Sequence, residues 1–138
     1  FKNNRDIMLV TDKIKNYKLL SKKFNFKERI IPESFSLFSY LNARLNGFEN
    51  VLFPYKRYNF IYKHLFGINL ITVSYSDFVK NKKKITKLFQ NGTNIFVYTS
   101  NDENFIIENI NKTITGVYVD FWDIANQKCI SNLSCKNY

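Results

Sequence analysis

The 138-residue chain is 45% hydrophobic and 17% aromatic, with four glycines and two prolines, which excludes disordered, collagen-like and low-complexity classes. Its length suits one domain or part of a larger one. The formal charge of +10 points to an anionic partner, unless it reflects only a bias toward lysine. That partner is a phosphate-bearing small molecule, a lipid headgroup, nucleic acid or an acidic subunit. No apolar run approaches the roughly 20 residues that span a bilayer. The chain opens on Phe1 rather than methionine, as expected of a fragment or a processed form. Cys129 and Cys135 could close a small disulfide loop or remain thiols in a cytoplasmic protein, the compartment favoured here; no zinc-type spacing is present.

Taken in order, Asp6–Val10 reads as a short apolar strand that runs out at Thr11-Asp12-Lys13. A Lys-rich helix over Asn16–Phe24 turns Leu19, Leu20 and Phe24 inward. Arg29–Ile31 is the second strand, ending at Pro32-Glu33-Ser34. The next helix spans Leu37–Leu45, with Gly47 placed to stop it in the left-handed conformation. Asn50–Phe53 is the third strand and Tyr55-Lys56-Arg57 lies in its exit. A short helix over Phe60–Phe66 stops at Gly67.

The fourth strand is Ile68–Val73. Ser76 or Asp77 then caps a helix reaching Phe89, with Gly92 beyond it. Its middle, Lys80–Lys84, is basic. Ile95–Tyr98 has no polar face and reads as a strand buried on both sides. Thr99–Asp102 supplies a turn and a cap, a helix carries Phe105, Ile106 and Ile110 on one face, and Gly116–Val119 is the last strand, ended by Asp120.

The strand exits recur about every 20–25 residues, a spacing that fits a strand, a helix and two short loops. All-apolar strands joined through helices make parallel right-handed crossovers the default. Neither the dinucleotide glycine fingerprint nor the phosphate loop GxxxxGK[ST] occurs. The expected fold is therefore α/β, about six parallel β/α units forming the C-terminal part of a TIM-type barrel. It covers residues 1–122, and 123–138 form a closing helix or tail.

Within this pattern, Val97-Tyr98-Thr99-Ser100-Asn101, then a helix, then Gly116-Val117-Tyr118-Val119-Asp120-Phe121, resembles the end of the glycerophosphodiester phosphodiesterase family, in its variants near the phosphatidylinositol phosphodiesterases. Tyr98 stands where the family's WTVN-like turn has Trp, and Ser100 where it has Val. Arg29–Phe35 and Asn50–Phe53 resemble its fifth and sixth strands. Leu9–Lys13 is similar to the fourth-strand region, which carries a metal-binding Glu and a Lys. If Lys13 matches that Lys, Thr11 takes the Glu position.

The resemblance implies a phosphodiester hydrolase with a divalent cation, Mg²⁺ or Ca²⁺, acting on a glycerol, inositol or sugar diester or a lipid headgroup. It implies Lys13 as a catalytic phosphate contact and Asp12 and Glu33 as metal ligands. Lys56 and Arg57 would grip the phosphate, with Tyr55, Tyr98 and Trp122 bounding the substrate. Each has a plainer alternative: a helix cap, a solvated loop or core closure. Asn101 and Asp120 are expected in structural roles, one capping a helix and one holding a loop. The family's two catalytic histidines, in HRG and HD motifs, have no counterpart, since His64 is the single histidine and sits in a predicted helix.

Two readings follow. The chain is the C-terminal part of a longer enzyme, completed by an N-terminal part, or a degenerate member that serves as a binding or self-associating module. Nucleic-acid binding through Lys80–Lys84 is a weaker third.

Overall fold

The computed structural model describes residues 8–120 and the backbone of Trp122–Asp123 and Lys128–Cys129. The chain divides into two units, Phe1–Leu70 and Ile71–Tyr138.

In the first unit, β1 (Leu9–Thr11) runs parallel to β2 (Ile30–Pro32), with Leu9 opposite Ile30, Val10 opposite Ile31 and Thr11 opposite Pro32. A parallel bridge from Glu33 to Leu52 sets β3 (Phe53–Pro54) on the other side of β2. The strands are shorter than predicted at their N-terminal ends. Arg29 belongs to a 3₁₀ turn, Lys27–Arg29, and of Asn50–Leu52 only Leu52 joins the ladder.

The connecting helices begin where local chemistry dictates. Asn16 accepts the Leu19 amide at 2.9 Å and starts α1 (Tyr17–Lys23), which buries Tyr17 and Leu20. Ser36 and Ser39 form a reciprocal capping box at the start of α2 (Leu37–Leu45). Past its end, Gly47 takes φ +88° and Lys27 donates to the Asn46 carbonyl at 3.3 Å. Asn59 caps α3 (Phe60–Phe66), and Gly67 at φ +68° closes it. The core gathers Ile30, Ala43, Phe48, Leu52 and Phe53, all 0–1% exposed. Phe53 meets Tyr40 of α2 and Tyr62 of α3 edge-on, each at 6.0 Å. Phe53 therefore faces the helices, and Leu52, one residue earlier, lies on the opposite face of the strands.

In the second unit, β4 (Leu70–Ser74) starts at the boundary and lies beside β5 (Asn94–Tyr98), which has β6 (Gly116–Val117) on its other side. β5 and β6 are parallel, with Phe96 opposite Gly116 and Val97 opposite Val117. Leu70–Val73 are buried without alternation, as expected of a strand covered on both faces. β5 departs from that expectation. Ile95 and Val97 are fully buried, Phe96 is half-buried and Tyr98 is exposed.

The single helix predicted after β4 is two, α4 (Tyr75–Lys80) and α5 (Lys82–Gln90), meeting at Asn81. The Asn81 amide side chain donates to the Asp77 carbonyl at 3.0 Å, which also accepts the Asn81 backbone amide at 3.0 Å and so closes α4. The cap is Ser74, whose hydroxyl accepts the Asp77 amide at 3.1 Å and donates to its carboxylate. Asp102 caps α6 (Glu103–Asn109) through the Phe105 amide. Ile110, predicted inside that helix, bridges Ile114 instead.

β7 (Trp122–Asp123) and β8 (Lys128–Cys129) form a short antiparallel pair. The rest of the expected closing helix or tail, and the cysteine pairing, lie outside the described residues. Among the described residues, no helix is long and apolar enough to cross a membrane.

Candidate functional site

A parallel β/α unit collects chemistry at the C-terminal ends of its strands, because each strand there gives way to a loop free to carry any side chain. In the first unit three neighbouring strands end together. Asp12 and Lys13 follow β1, Glu33 follows β2, and the 3₁₀ turn Tyr55–Arg57 follows β3. Asp12 and Lys13 are exposed and 3.4 Å apart, a surface pair of little worth to stability. Lys13 has φ +57°, a left-handed backbone that costs a side-chain-bearing residue roughly 1–2 kcal/mol.

Side chains alternate across a strand, and bridged partners share a face. Thr11 pairs with Pro32, and Glu33 with Leu52, so Thr11 and Glu33 lie on opposite faces. Thr11 is 9% exposed, and its hydroxyl has no hydrogen-bond partner among the described residues. Glu33 is half-buried. Its amide donates to the Thr11 carbonyl at 3.0 Å and its own carbonyl accepts the Tyr17 hydroxyl at 3.2 Å.

Tyr17 is a neighbour of the rim that sequence reading missed. Burial pushes its phenol above the ordinary 10.0; a Ser39 hydrogen bond pulls the other way, and the Glu33 charge adds to the rise. The available signal was its place directly after the capping Asn16, which sends the first side chain of α1 back toward the strand ends. In the third exit, Tyr55 is half-buried while Lys56 and Arg57 are exposed.

The second unit has its own set of strand ends. Tyr98 closes β5, is 42% exposed and stands edge-on to Tyr118 at 6.5 Å; its peptide to Thr99 is cis. The Asn101 side chain donates to the Asp120 carboxylate at 3.2 Å and accepts the Asp120 amide at 2.9 Å. Both residues are structural, but neither caps a helix. Asp102 does that, and Asn101 and Asp120 clasp the exits of β5 and β6 together. Trp122 begins β7, and its side chain is outside the described residues.

Other features stand apart from these ends. His64 lies exposed on α3, edge-on to Phe60 at 4.8 Å. Lys80 and Lys82–Lys84 form an exposed run along α4 and α5. A groove beside α1, lined by Ile14, Leu19, Leu20 and Phe24 among others, holds none of the predicted site residues. Asp12 and Glu33 are two carboxylates, and no group of three or more His, Cys, Asp or Glu able to hold a metal occurs among the described residues. The described rim is therefore too sparse to hold a cation unaided.

No protein-family model matches the chain, and no curated protein does. A crystal structure of a glycerophosphodiester phosphodiesterase from Parabacteroides distasonis is similar over 86% of the chain, with a TM-score of 0.65 and 14% identity. The chain spans 56% of that protein's length. At this identity the likeness shows the fold: the chain has the parallel α/β form of a glycerophosphodiester phosphodiesterase, in keeping with part of a TIM-type barrel.

Proposed function

We propose that this chain supplies a phosphodiester-binding rim of a phosphoric diester hydrolase of the glycerophosphodiester phosphodiesterase type. The observation that carries the reading is one juxtaposition. Two carboxylates, three cations and a tyrosine follow the ends of three adjacent parallel strands, in a fold shared with such an enzyme. Lys13, beside Asp12, would be a phosphate contact. Arg57 offers a planar fork to two phosphate oxygens and Lys56 a point charge. Tyr55 would bound the alcohol.

Asp12 and Glu33 would provide two oxygen ligands to a divalent cation, Mg²⁺ or Ca²⁺, with the remainder from outside the described residues. Such a cation stabilises negative charge on phosphoryl oxygens when bound. The rim's own part is binding, since acid–base transfer needs groups that His64, out on α3, does not furnish.

Amide NMR titration of the chain with glycerophosphocholine tests this. Shifts at 12–13, 33 and 55–57 are expected, and Lys13→Ala should weaken binding by about tenfold or more through loss of a charged hydrogen bond. Shifts scattered elsewhere, or none, would reject the rim. A second reading, a non-catalytic binding or assembly module, is favoured by the position of His64. A full-length reading frame without HRG and HD motifs ahead of Phe1 would select it.

A further inference from the structure

Helices α2 and α3 lie side by side in the first unit. Tyr40 of α2 and Tyr62 of α3 meet one ring, Phe53, each at 6.0 Å. The Tyr40 hydroxyl also donates to the carbonyl of Gly67, at the end of α3, at 3.4 Å. The sides of the two helices turned away from Phe53 carry bulky apolar residues. At 3.6 residues per turn, Phe38 and Leu45 point within about 20° of each other and about 170° from the mean direction of the buried Tyr40 and Ala43. They are 80% and 88% exposed, the highest values among the large apolar side chains described. On α3, Phe60, Ile61 and Leu65 are 57%, 52% and 68% exposed and lie off the arc that carries Tyr62 and Phe66.

The extent of this surface points to its occupant. A side chain of this size presents roughly 150–200 Å² to water when fully bare. With Phe35, 44% exposed just before the Ser36 cap, these residues present about 600–750 Å², at or above the largest apolar patch of an ordinary monomer. Two copies meeting here would cover about 1,200–1,500 Å², enough for a stable pair. Charge agrees with self-association. The outward arc of α2, from Phe38 through Leu41 and Asn42 to Leu45, carries no charged residue. Arg44, the one charged side chain of that helix, lies off the arc and donates to the carbonyls of Phe48 and Glu49. A two-fold contact centred on α2 therefore sets no like charges against each other there. An interfacial helix on a lipid surface, by contrast, draws on several cations beside its apolar face.

We propose that the outer faces of α2 and α3 join two copies of this chain, with Phe38 and Leu45 at the centre of the contact and Phe60, Ile61 and Leu65 extending it. The pairing holds whether or not the strand ends bind a phosphodiester.

The experiment is sedimentation velocity of the full chain from micromolar to submillimolar concentration, where a shift from monomer to dimer is expected. Phe38→Ser with Leu45→Ser should weaken the dimer by about a hundredfold or more, since each copy loses two buried side chains. Ile61→Ser with Leu65→Ser should weaken it as well. Val79→Ser with Ile107→Ser, at exposed apolar positions of the second unit, should leave it unchanged. Circular dichroism confirms that the variants fold. As a readout that needs no variant, the amide resonances of 37–45 and 60–66 should shift between dilute and concentrated wild type. A wild type that stays monomeric overturns the proposal, as does a dimer that the Phe38/Leu45 variant keeps, or concentration-dependent shifts confined to other residues. A monomeric wild type that sediments with phosphatidylserine vesicles, while the Phe38/Leu45 variant does not, would assign the face to lipid and also overturn it.

Discussion

Lys13 turns the chain just past β1 with a backbone conformation that glycine adopts freely. Its ammonium group lies in solvent beside Asp12, where an exposed ion pair adds little. Lys13→Gly should therefore leave stability unchanged or raise it by up to about 1 kcal/mol, set by urea denaturation. The same variant should lose affinity for a glycerophosphodiester. A destabilised Lys13→Gly would show that the lysine is held by packing and not by the rim's chemistry. Gly116 is the opposite case. Its backbone is ordinary, but a Cβ there would lie 2.7 Å from the Phe96 ring across the β5–β6 ladder. Gly116→Ala should cost about 1–3 kcal/mol by forcing the ring aside. A loss below about 0.5 kcal/mol would mean the ring yields freely.

Among the elements, the helices divide by how their ends are made. α2 starts on the Ser36–Ser39 box, so Ser36→Ala should cost about 1 kcal/mol in thermal or urea unfolding, with Ser36→Asp retaining most of it. Equal losses for both variants would show that the hydroxyl's partners, and not capping, set the stability there. The α4–α5 break is a smaller-scale competition. Lys82–Lys84 open α5, where the amide dipoles disfavour cations. An unbroken helix over 77–89 looks natural from apolar spacing alone. It loses to this local effect.

For the molecule as a whole, burial raises the phenols of both Tyr17 and Tyr40 above the ordinary 10.0. For Tyr40 the Arg44 charge opposes the rise. Each hydroxyl donates to a backbone carbonyl, Glu33 at 3.2 Å and Gly67 at 3.4 Å, a bond that ionisation would remove. The neutral forms thus stabilise the fold fully below about pH 10, where the unfolded phenols are also protonated. Above it the unfolded phenols ionise first, and stability is lost as pH rises through the folded values. Urea midpoints of wild type should fall more steeply between about pH 9 and 11 than those of Tyr17→Phe with Tyr40→Phe. Parallel slopes would reject the assignment.

By itself the sequence determined α2 and α3 to their end residues, Leu37–Leu45 and Phe60–Phe66, because serine and asparagine caps and the glycines at 47 and 67 act on bonds a few residues away. It also carried the parallel β/α order, since apolar runs too short for helices alternate with capped amphipathic ones. Only the tertiary structure decided which face each strand residue takes. Thr11 and Lys13 look equally suited to the rim as letters, yet pairing with Pro32 buries Thr11 on the face opposite Glu33. Likewise Asn101 reads as a cap until the β5 and β6 exits meet and Asp120 claims it. Register and pairing join residues about twenty positions apart, and the identity of either partner alone does not encode the other.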